Sequence, residues 1–197
     1  KGNHQYTSVK DSRVNSFADS KRTDFAEALV YTINRAKKNK RYNGSTMLVR
    51  IHESGDFYSI QYLRKWVRIW EQTEMVTGLQ FTLYTKSVPF FLKLTEEERA
   101  IINRLMKSGK LSINVSTDDT TTREQKIKIL EFLTLYPLAN TYHCTEDVDS
   151  VEHDNVCDCA DCAKCGTCNK ATGKKTVVKI HSASKADMEE YRKNIAG

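Results

Sequence analysis

The sequence has no long apolar run, little proline, and no cysteine outside one short stretch. Its 197 residues include two prolines, and no segment approaches the roughly 20 apolar residues that cross a bilayer. The first residues lack the apolar centre of a secretion signal. We therefore expect a cytoplasmic protein without a membrane partner. At 39% hydrophobic and 28% charged residues, the chain can form one sizeable core.

The chain is basic, with a net charge of +6 and a concentration of Lys and Arg in its first half. The relevant residues are Lys37, Lys38, Lys40, Arg41, Arg64, Lys65 and Arg68. Such a surplus attracts anionic partners, including nucleic acid. However, no helix-turn-helix, finger or aromatic-basic motif accompanies it, and solvated helix faces carry similar lysines. Nucleic-acid binding is therefore an alternative and not the first expectation.

Apolar residues recur alternately at helical and at strand spacing along most of the chain. Residues 1–22 are polar and predict irregular structure, and a helix is predicted from Thr23 to Ala36. Strands are predicted at residues 47–52, 80–85, 111–116, 138–143 and 176–181. Further helices are predicted over residues 58–75 and 184–195. Two more begin at capping boxes: one runs from Thr95 and Glu98 to Gly109, and the other runs from Thr122 and Gln125 to Pro137.

Strands that alternate with helices of this length usually pair in parallel through right-handed crossovers. The strands also have one apolar and one polar face: Val49 and Ile51 oppose Arg50 and His52, and the next two strands show the same split. We predict an α/β fold, a partial or open (β/α) barrel of four to six mainly parallel strands with helices outside and a polar lumen. One sheet with water on its polar side is the alternative.

Three regions follow from this pattern. Residues 1–143 form the partial-barrel body, residues 144–175 form a cysteine-rich metal-binding loop near the C-terminus, and residues 176–197 add a final strand and helix that complete the body. We therefore expect one globular unit with a metal-binding insertion.

Polar residues follow the first three strands, at the edge where parallel α/β proteins bind ligands. The candidate cofactor-binding residues are Arg50, His52, Glu53, Ser54, Gly55, Asp56, Lys86 and Asp118. Gly55 allows close approach of the backbone, and Glu53 and Asp56 can accept from an amine or ligate a cation. In the alternative interpretation, Ser54 and Asp56 only cap the next helix. Arg50 and His52 suit a carboxylate or phosphate, or else a structural network.

All six cysteines lie between Cys144 and Cys168, and four form a C-x2-C-x2-C-x2-C run. The run consists of Cys159, Cys162, Cys165 and Cys168. Thiolates at this spacing converge on one soft metal centre. Structural zinc sites usually separate two C-x2-C pairs by a longer spacer, whereas a continuous run is typical of a 4Fe-4S cluster. We predict iron-sulfur ahead of zinc, although Cys144, Cys157, His143 or His153 can supply a ligand instead.

Several segments resemble the phage and bacterial gene product 88 family over nearly the whole chain. The matching segments are residues 50–58, 84–87, 165–168 and 177–181. In that family, a cysteine-containing stretch ending in a Cys-Tyr-Ala-Lys type sequence precedes the part similar to Lys1-Gly2-Asn3. The resemblance implies a phage-related protein, and we expect an upstream segment before Lys1.

A more distant likeness is to radical S-adenosylmethionine enzymes, whose glycine-containing loop after the second barrel strand contacts the cofactor's amino group. Ser54, Gly55 and Asp56 look similar in position, and Lys86 and Asp118 resemble the polar ends of later strands in those barrels. The C-x3-C-x2-C motif of those enzymes is absent from this sequence. Radical chemistry therefore requires that the upstream segment supply it.

Three hypotheses compete at this point. The first is an iron-sulfur enzyme of radical type that binds S-adenosylmethionine and uses the polar lumen for a small-molecule substrate. The second is a non-catalytic phage protein, stabilised by zinc, that binds nucleic acid or a host protein. The third is a hydrolase with a metal at Glu53, Asp56 and Asp118, which no histidine-rich motif supports.

Overall fold

The computed structural model describes residues 7–42, 44–52, 56–145, 151–157 and 166–179. The helices in these ranges are α1 (Thr7–Lys21), α2 (Phe25–Lys37), α3 (Ile60–Gln72), α4 (Val88–Phe91), α5 (Glu96–Lys107) and α6 (Arg123–Leu135). The strands are β1 (Met47–Ile51), β2 (Leu79–Thr85), β3 (Leu111–Asp118), β4 (Asn140–Thr145), β5 (Asn155–Cys157) and β6 (Lys175–Lys179).

The six strands form one sheet in the order β1-β2-β3-β4-β6-β5, and every neighbouring pair is parallel. Strands β1 to β4 lie side by side in chain order. The predicted α/β class with a parallel sheet is therefore confirmed. The parallel arrangement also brings the carboxyl ends of all strands to one edge, because parallel strands share a direction.

The apolar side of the sheet forms the core. Leu83, Ile113 and Val115 are fully buried there, and helix α3 contributes Leu63 and Trp70, which are also inaccessible to water. Helix α3 has these apolar residues at helical spacing and begins at Ser59, whose hydroxyl accepts from the backbone N–H of Tyr62. The apolar faces of the strands are therefore covered by helices, as the alternating pattern predicts.

Both predicted capping boxes are present. The hydroxyl of Thr95 accepts from the backbone N–H of Glu98, and the Glu98 carboxylate accepts from the backbone N–H of Thr95. Thr122 and Gln125 make the same reciprocal pair at the start of α6. Each box satisfies backbone donors that the first helical turn leaves open, which fixes where α5 and α6 begin.

Two predicted regions differ from the structure. Residues 7–21 form helix α1, where irregular structure was expected, and this helix contacts the body through Phe17 and Ser20. Its sequence is polar and lacks an apolar stripe, so periodicity could not reveal it. In the predicted loop of residues 144–175, β4 extends to Thr145 and β5 forms a sheet edge. The predicted helix at residues 184–195 lies outside the described residues.

Candidate functional site

The polar face of β2, β3 and β4 is buried, as their alternating sequences suggest, but it contacts protein. Thr82, Ser112, Asn114 and Asn140 point to this face and are each 3% exposed or less. Buried polar groups need hydrogen-bond partners, because an unpaired one costs about 1–3 kcal/mol. We call these four side chains the polar face.

The partners of the polar face come from residues 166–174, which we call the docked segment. The carbonyl oxygen of Cys168 accepts from the hydroxyls of Thr82 at 3.1 Å and Ser112 at 2.7 Å, and from the side-chain amide of Asn114 at 3.0 Å. Three donors from two strands therefore converge on one backbone oxygen. This geometry fixes the position of Cys168 on the sheet.

Asn140 holds the other end of the docked segment. Its amide nitrogen donates to the carbonyl of Lys170 at 2.8 Å, and its oxygen accepts from the backbone N–H and the hydroxyl of Thr172 at 3.1 and 2.9 Å. Gly173 then adopts a φ of +70°, and its N–H donates to the carbonyl of Leu138 at 3.2 Å. Thr82, Ser112 and Asn114, which were expected to face a lumen, thus bind the chain's own backbone, as does Asn140.

The sulfur of Cys168 lies beside two tyrosines. The Tyr142 hydroxyl oxygen is 2.6 Å from Sγ of Cys168, and the rings of Tyr84 and Tyr142 make an edge contact with centroids 5.2 Å apart. Burial, followed by a hydrogen bond to Cys168, raises the pKa of Tyr84. The guanidinium of Arg50 lies 5.2 Å from the centre of the Tyr84 ring. Arg50, a predicted site residue, therefore contacts one of the two tyrosines that lie beside Cys168.

Asp56 organises the turn after β2. Its carboxylate accepts from the backbone N–H groups of Lys86 at 2.6 Å and Ser87 at 3.0 Å, and from the Thr85 hydroxyl at 2.8 Å. It also accepts from the N–H of Phe57 at 2.7 Å. With four donors bound, Asp56 acts as a structural acceptor that ties the β1 loop to the β2 loop. The N-cap of α3 is Ser59, so the alternative prediction that Asp56 caps this helix is wrong.

His52 follows β1 with a φ of +56°, a conformation that is uncommon for residues other than glycine. Its Nε2 lies 3.1 Å from the hydroxyl of Tyr62, and its ring meets that of Phe57 edge-on with centroids 4.6 Å apart. Burial lowers the pKa of His52, and the nearby Asp56 charge opposes that shift. His52 therefore lies among aromatic rings in a structural network.

Lys86 and Asp118 are brought together at the carboxyl ends of β2 and β3. The Lys86 ammonium lies 2.7 Å from Oδ2 of Asp118, while Oδ1 of Asp118 accepts from Thr120 and Thr121. Burial opposes the shift, yet the hydrogen bonds from Lys86 and Thr120 together lower the pKa of Asp118. Two of the predicted site residues thus form one ion pair.

A histidine network next to this pair was not identified from the sequence as a unit. Nε2 of His143 lies 2.9 Å from Asp119, and its Nδ1 lies 2.9 Å from the hydroxyl of Thr117. The Thr145 hydroxyl donates to the other oxygen of Asp119 at 2.9 Å. The register of the parallel strands β3 and β4 places Thr117 opposite His143. This register cannot be read from the sequence, so the network was not predicted.

Most of the predicted metal site lies outside the described residues. Cys159, Cys162 and Cys165 fall there, as do Glu53, Ser54 and Gly55. Cys144 and Cys168 are free thiols that are half-buried, and burial raises the pKa of Cys144. Among the residues that the structure describes, no three potential metal ligands come together.

Comparison with known proteins gives one family. No curated protein and no solved structure matches the chain significantly, and the likeness to radical S-adenosylmethionine enzymes finds no support there. Within the described ranges, no helix has both the length and the apolar character that a bilayer crossing requires. The family model of gene product 88 matches residues 1–171, which is most of the sequence. The chain therefore belongs to the gene product 88 family.

Proposed function

We propose that this protein binds a metal centre through Cys159, Cys162, Cys165 and Cys168, and that the centre is an iron-sulfur cluster. One observation carries the proposal: Cys168, the last cysteine of the run, is docked on the sheet by three donors to its carbonyl oxygen. A ligand held in this way is preorganised, which lowers the entropy cost of assembling a centre around it.

The surroundings of Cys168 suit a thiolate ligand. The Tyr142 hydroxyl can donate to the sulfur, and Arg50 lies over Tyr84 and adds positive charge to the same region. Hydrogen bonds to ligating sulfurs and nearby charges are the means by which proteins tune iron-sulfur clusters. These contacts support a functional thiolate at Cys168 more than a buried structural thiol.

Iron-sulfur ranks ahead of zinc because of the spacing of the four cysteines. A continuous run at three-residue intervals is closer to the ferredoxin pattern than to two separated zinc pairs. The basic residues Lys170 and Lys174 follow Cys168 in the docked segment and are exposed, so they would offset the negative charge of a thiolate-bound cluster. These features support the choice of metal.

The experiment is anaerobic purification of the protein, followed by iron, sulfide and zinc analysis and an absorption spectrum. We expect a brown protein whose visible absorbance bleaches on reduction. Cys168→Ser should lower the iron content, whereas the matched variant Cys144→Ser should retain it. A colourless protein with stoichiometric zinc would reject the iron-sulfur assignment, and metal-free protein would reject the whole proposal.

A finer proposal concerns the barrel. We propose that β1 to β4 form part of an open (β/α) barrel, because they are adjacent in chain order and parallel, as barrel strands are. In this arrangement the carboxyl edge holds S-adenosylmethionine near residues 54–56, and radical chemistry additionally requires the C-x3-C-x2-C motif that this sequence does not contain. Reduced, cluster-loaded protein should then bind S-adenosylmethionine in equilibrium dialysis. Failure to bind it while the cluster is intact would leave the metal proposal and remove the enzymatic one.

Nucleic-acid binding receives less support from the basic residues. Arg64 pairs with Glu98 at 2.9 Å, and Arg68 pairs with Glu27 at 2.5 Å. The ammonium of Lys65 donates to the carbonyl of Ser20 at 2.8 Å. These cations already contact protein groups, so a phosphate backbone would have to displace partners.

A further inference from the structure

A cavity of about 470 Å³ opens at the carboxyl ends of β2 and β3. Its apolar wall is formed by Val88, Pro89, Val115 and Ile129. Small-molecule sites are commonly about 300–1,000 Å³ and mostly apolar, whereas most of the residues that line this cavity are polar or charged. Ligands of parallel α/β proteins also collect at this edge of the sheet. The cavity therefore has the size and position of a binding site.

Lys86 supplies a positive charge that a ligand can recruit. Its side chain is 64% exposed, and its only ion-pair partner among the described residues is Asp118, at 2.7 Å. Oδ1 of Asp118 accepts from the backbone N–H and the hydroxyl of Thr120 and from the hydroxyl of Thr121, and these three bonds do not involve Lys86. The ammonium can therefore turn toward a ligand while the carboxylate remains hydrogen-bonded.

Lys128 supplies a second charge from helix α6. It pairs with Glu124 one turn earlier at 2.6 Å, and the Glu124 side chain is 78% exposed. Exposed pairs at this spacing are weak, so an anionic ligand can compete for the lysine at little cost. Ser116 and Thr121 also line the cavity, and the Thr121 hydroxyl donates to Oδ1 of Asp118.

We propose that this cavity binds a small organic anion, a carboxylate or a phosphate monoester, through Lys86 and Lys128. The apolar part of the ligand covers Val88, Pro89 and Ile129. When a ligand recruits the two lysines, Asp118 keeps three donors on Oδ1, and Glu124, whose side chain is 78% exposed, is hydrated by water. This asymmetry favours an anion over a cation. The site does not depend on the proposed metal centre.

The test compares four probes with one aromatic ring and different charges: phenyl phosphate, phenylacetate, benzylamine and benzyl alcohol. Binding to the full chain is measured by protein-observed NMR or calorimetry at low and high salt. We expect one or both anions to bind, with affinity that falls as salt rises. The two anion arms distinguish phosphate from carboxylate recognition.

Three variants locate the site. Lys86→Gln and Lys128→Gln should each weaken anion binding by about tenfold, since each removes one charged contact. Lys126→Gln, on the same helix but outside the cavity, should leave it unchanged. Thermal melts verify that each variant is folded.

Three outcomes would overturn the proposal. They are no binding of either anion by folded protein, benzylamine binding as tightly as the anions, and anion binding that is equal in all three lysine variants.

Discussion

At the scale of single residues, the polar residues that follow the strands have unequal roles. Asp56 is saturated by backbone donors, His52 is enclosed by aromatic rings, and Lys86 remains largely exposed at a cavity. All three looked alike in the sequence, because each is a polar residue after an apolar strand. The partners that separate their roles come from other loops and could not be read from local pattern.

We predict that Asp56→Asn lowers the free energy of unfolding by about 1–3 kcal/mol, because an amide nitrogen would face N–H donors that the carboxylate now accepts. The affected donors are the backbone N–H groups of Lys86 and Ser87. Urea denaturation measures the change. Asp19→Asn, on exposed helix α1, is the matched control and should alter stability little. Equal stability of both variants would show that Asp56 does not hold the turn.

The buried imidazole of His52 predicts a pH dependence of stability. Burial lowers its pKa below the ordinary value of about 6.5, so the unfolded chain binds more protons than the folded one between the two values. The stability that the neutral His52 imidazole contributes is fully present above pH ~6.5, and it is lost as the pH falls through the folded-state pKa. Urea unfolding at several pH values should show that the free energy of unfolding decreases as the pH is lowered from about 6.5. His52→Asn, which tolerates the positive φ, should flatten this slope.

Tyr142→Phe tests the contact to Cys168. If Cys168 ligates a cluster, loss of the hydroxyl should lower the reduction potential, because hydrogen bonds to sulfur favour the more negative, reduced state. Redox titration followed by absorbance measures the shift, with iron content as the check that the cluster is intact. Tyr31→Phe, on the exposed surface of α2, should leave the potential unchanged. An unaltered potential in Tyr142→Phe would mean that the hydroxyl does not tune the centre.

At the scale of elements, the docked segment is the feature that periodicity did not predict. The predicted bounds of the strands and of the helices with apolar stripes were close to the observed bounds, because burial of one face leaves a repeating apolar pattern in the sequence. The docked segment has no such pattern, because it binds through backbone oxygens such as those of Cys168 and Lys170. The polar residues on β2 and β3 were visible in the sequence, but Asn140 on β4 and the partner of all four side chains were not.

Gly173→Ala should loosen the docked segment. The residue has a φ of +70°, and an added Cβ would lie 2.7 Å from the carbonyl oxygen of Pro137. The positive φ alone costs about 1–2 kcal/mol with a side chain, and the clash adds to this. Gly109→Ala is the control, since its φ of +73° is similar but open space surrounds it. Urea denaturation and hydrogen exchange of residues 166–174 should show the larger effect in Gly173→Ala.

At the scale of the whole molecule, the parallel sheet could be predicted because strands and helices alternate along the chain. The polar side of the sheet could be predicted because polar and apolar residues alternate within the strands. Helix α1 and strand β5 did not follow, because α1 is polar throughout and β5 is only three residues long. The carboxyl-edge cavity was not predicted, although Lys86 and Asp118, which line it, were among the candidate site residues. Its other charged wall lies on helix α6, whose position depends on tertiary packing.

Metal loading should stabilise the entire fold if the proposed centre forms. A ligand that binds the native state alone raises the unfolding free energy by RT ln(1 + [L]/Kd), and Cys168 ties the centre to three strands. We expect the loaded protein to melt at a higher temperature than the same protein after chelation. The difference should shrink in Cys168→Ser. Identical melting of loaded and chelated wild-type protein would argue against coupling between the centre and the sheet.

The docked segment also bears on how the protein matures on the ribosome. The side chains of Thr82, Ser112, Asn114 and Asn140 are all synthesised before residues 166–174, which supply their partners. A nascent chain that ends at β4 must therefore keep this side of its sheet hydrated. These four side chains gain their protein partners only when the docked segment emerges, so truncated translation products should be recognisable by their early susceptibility to proteases.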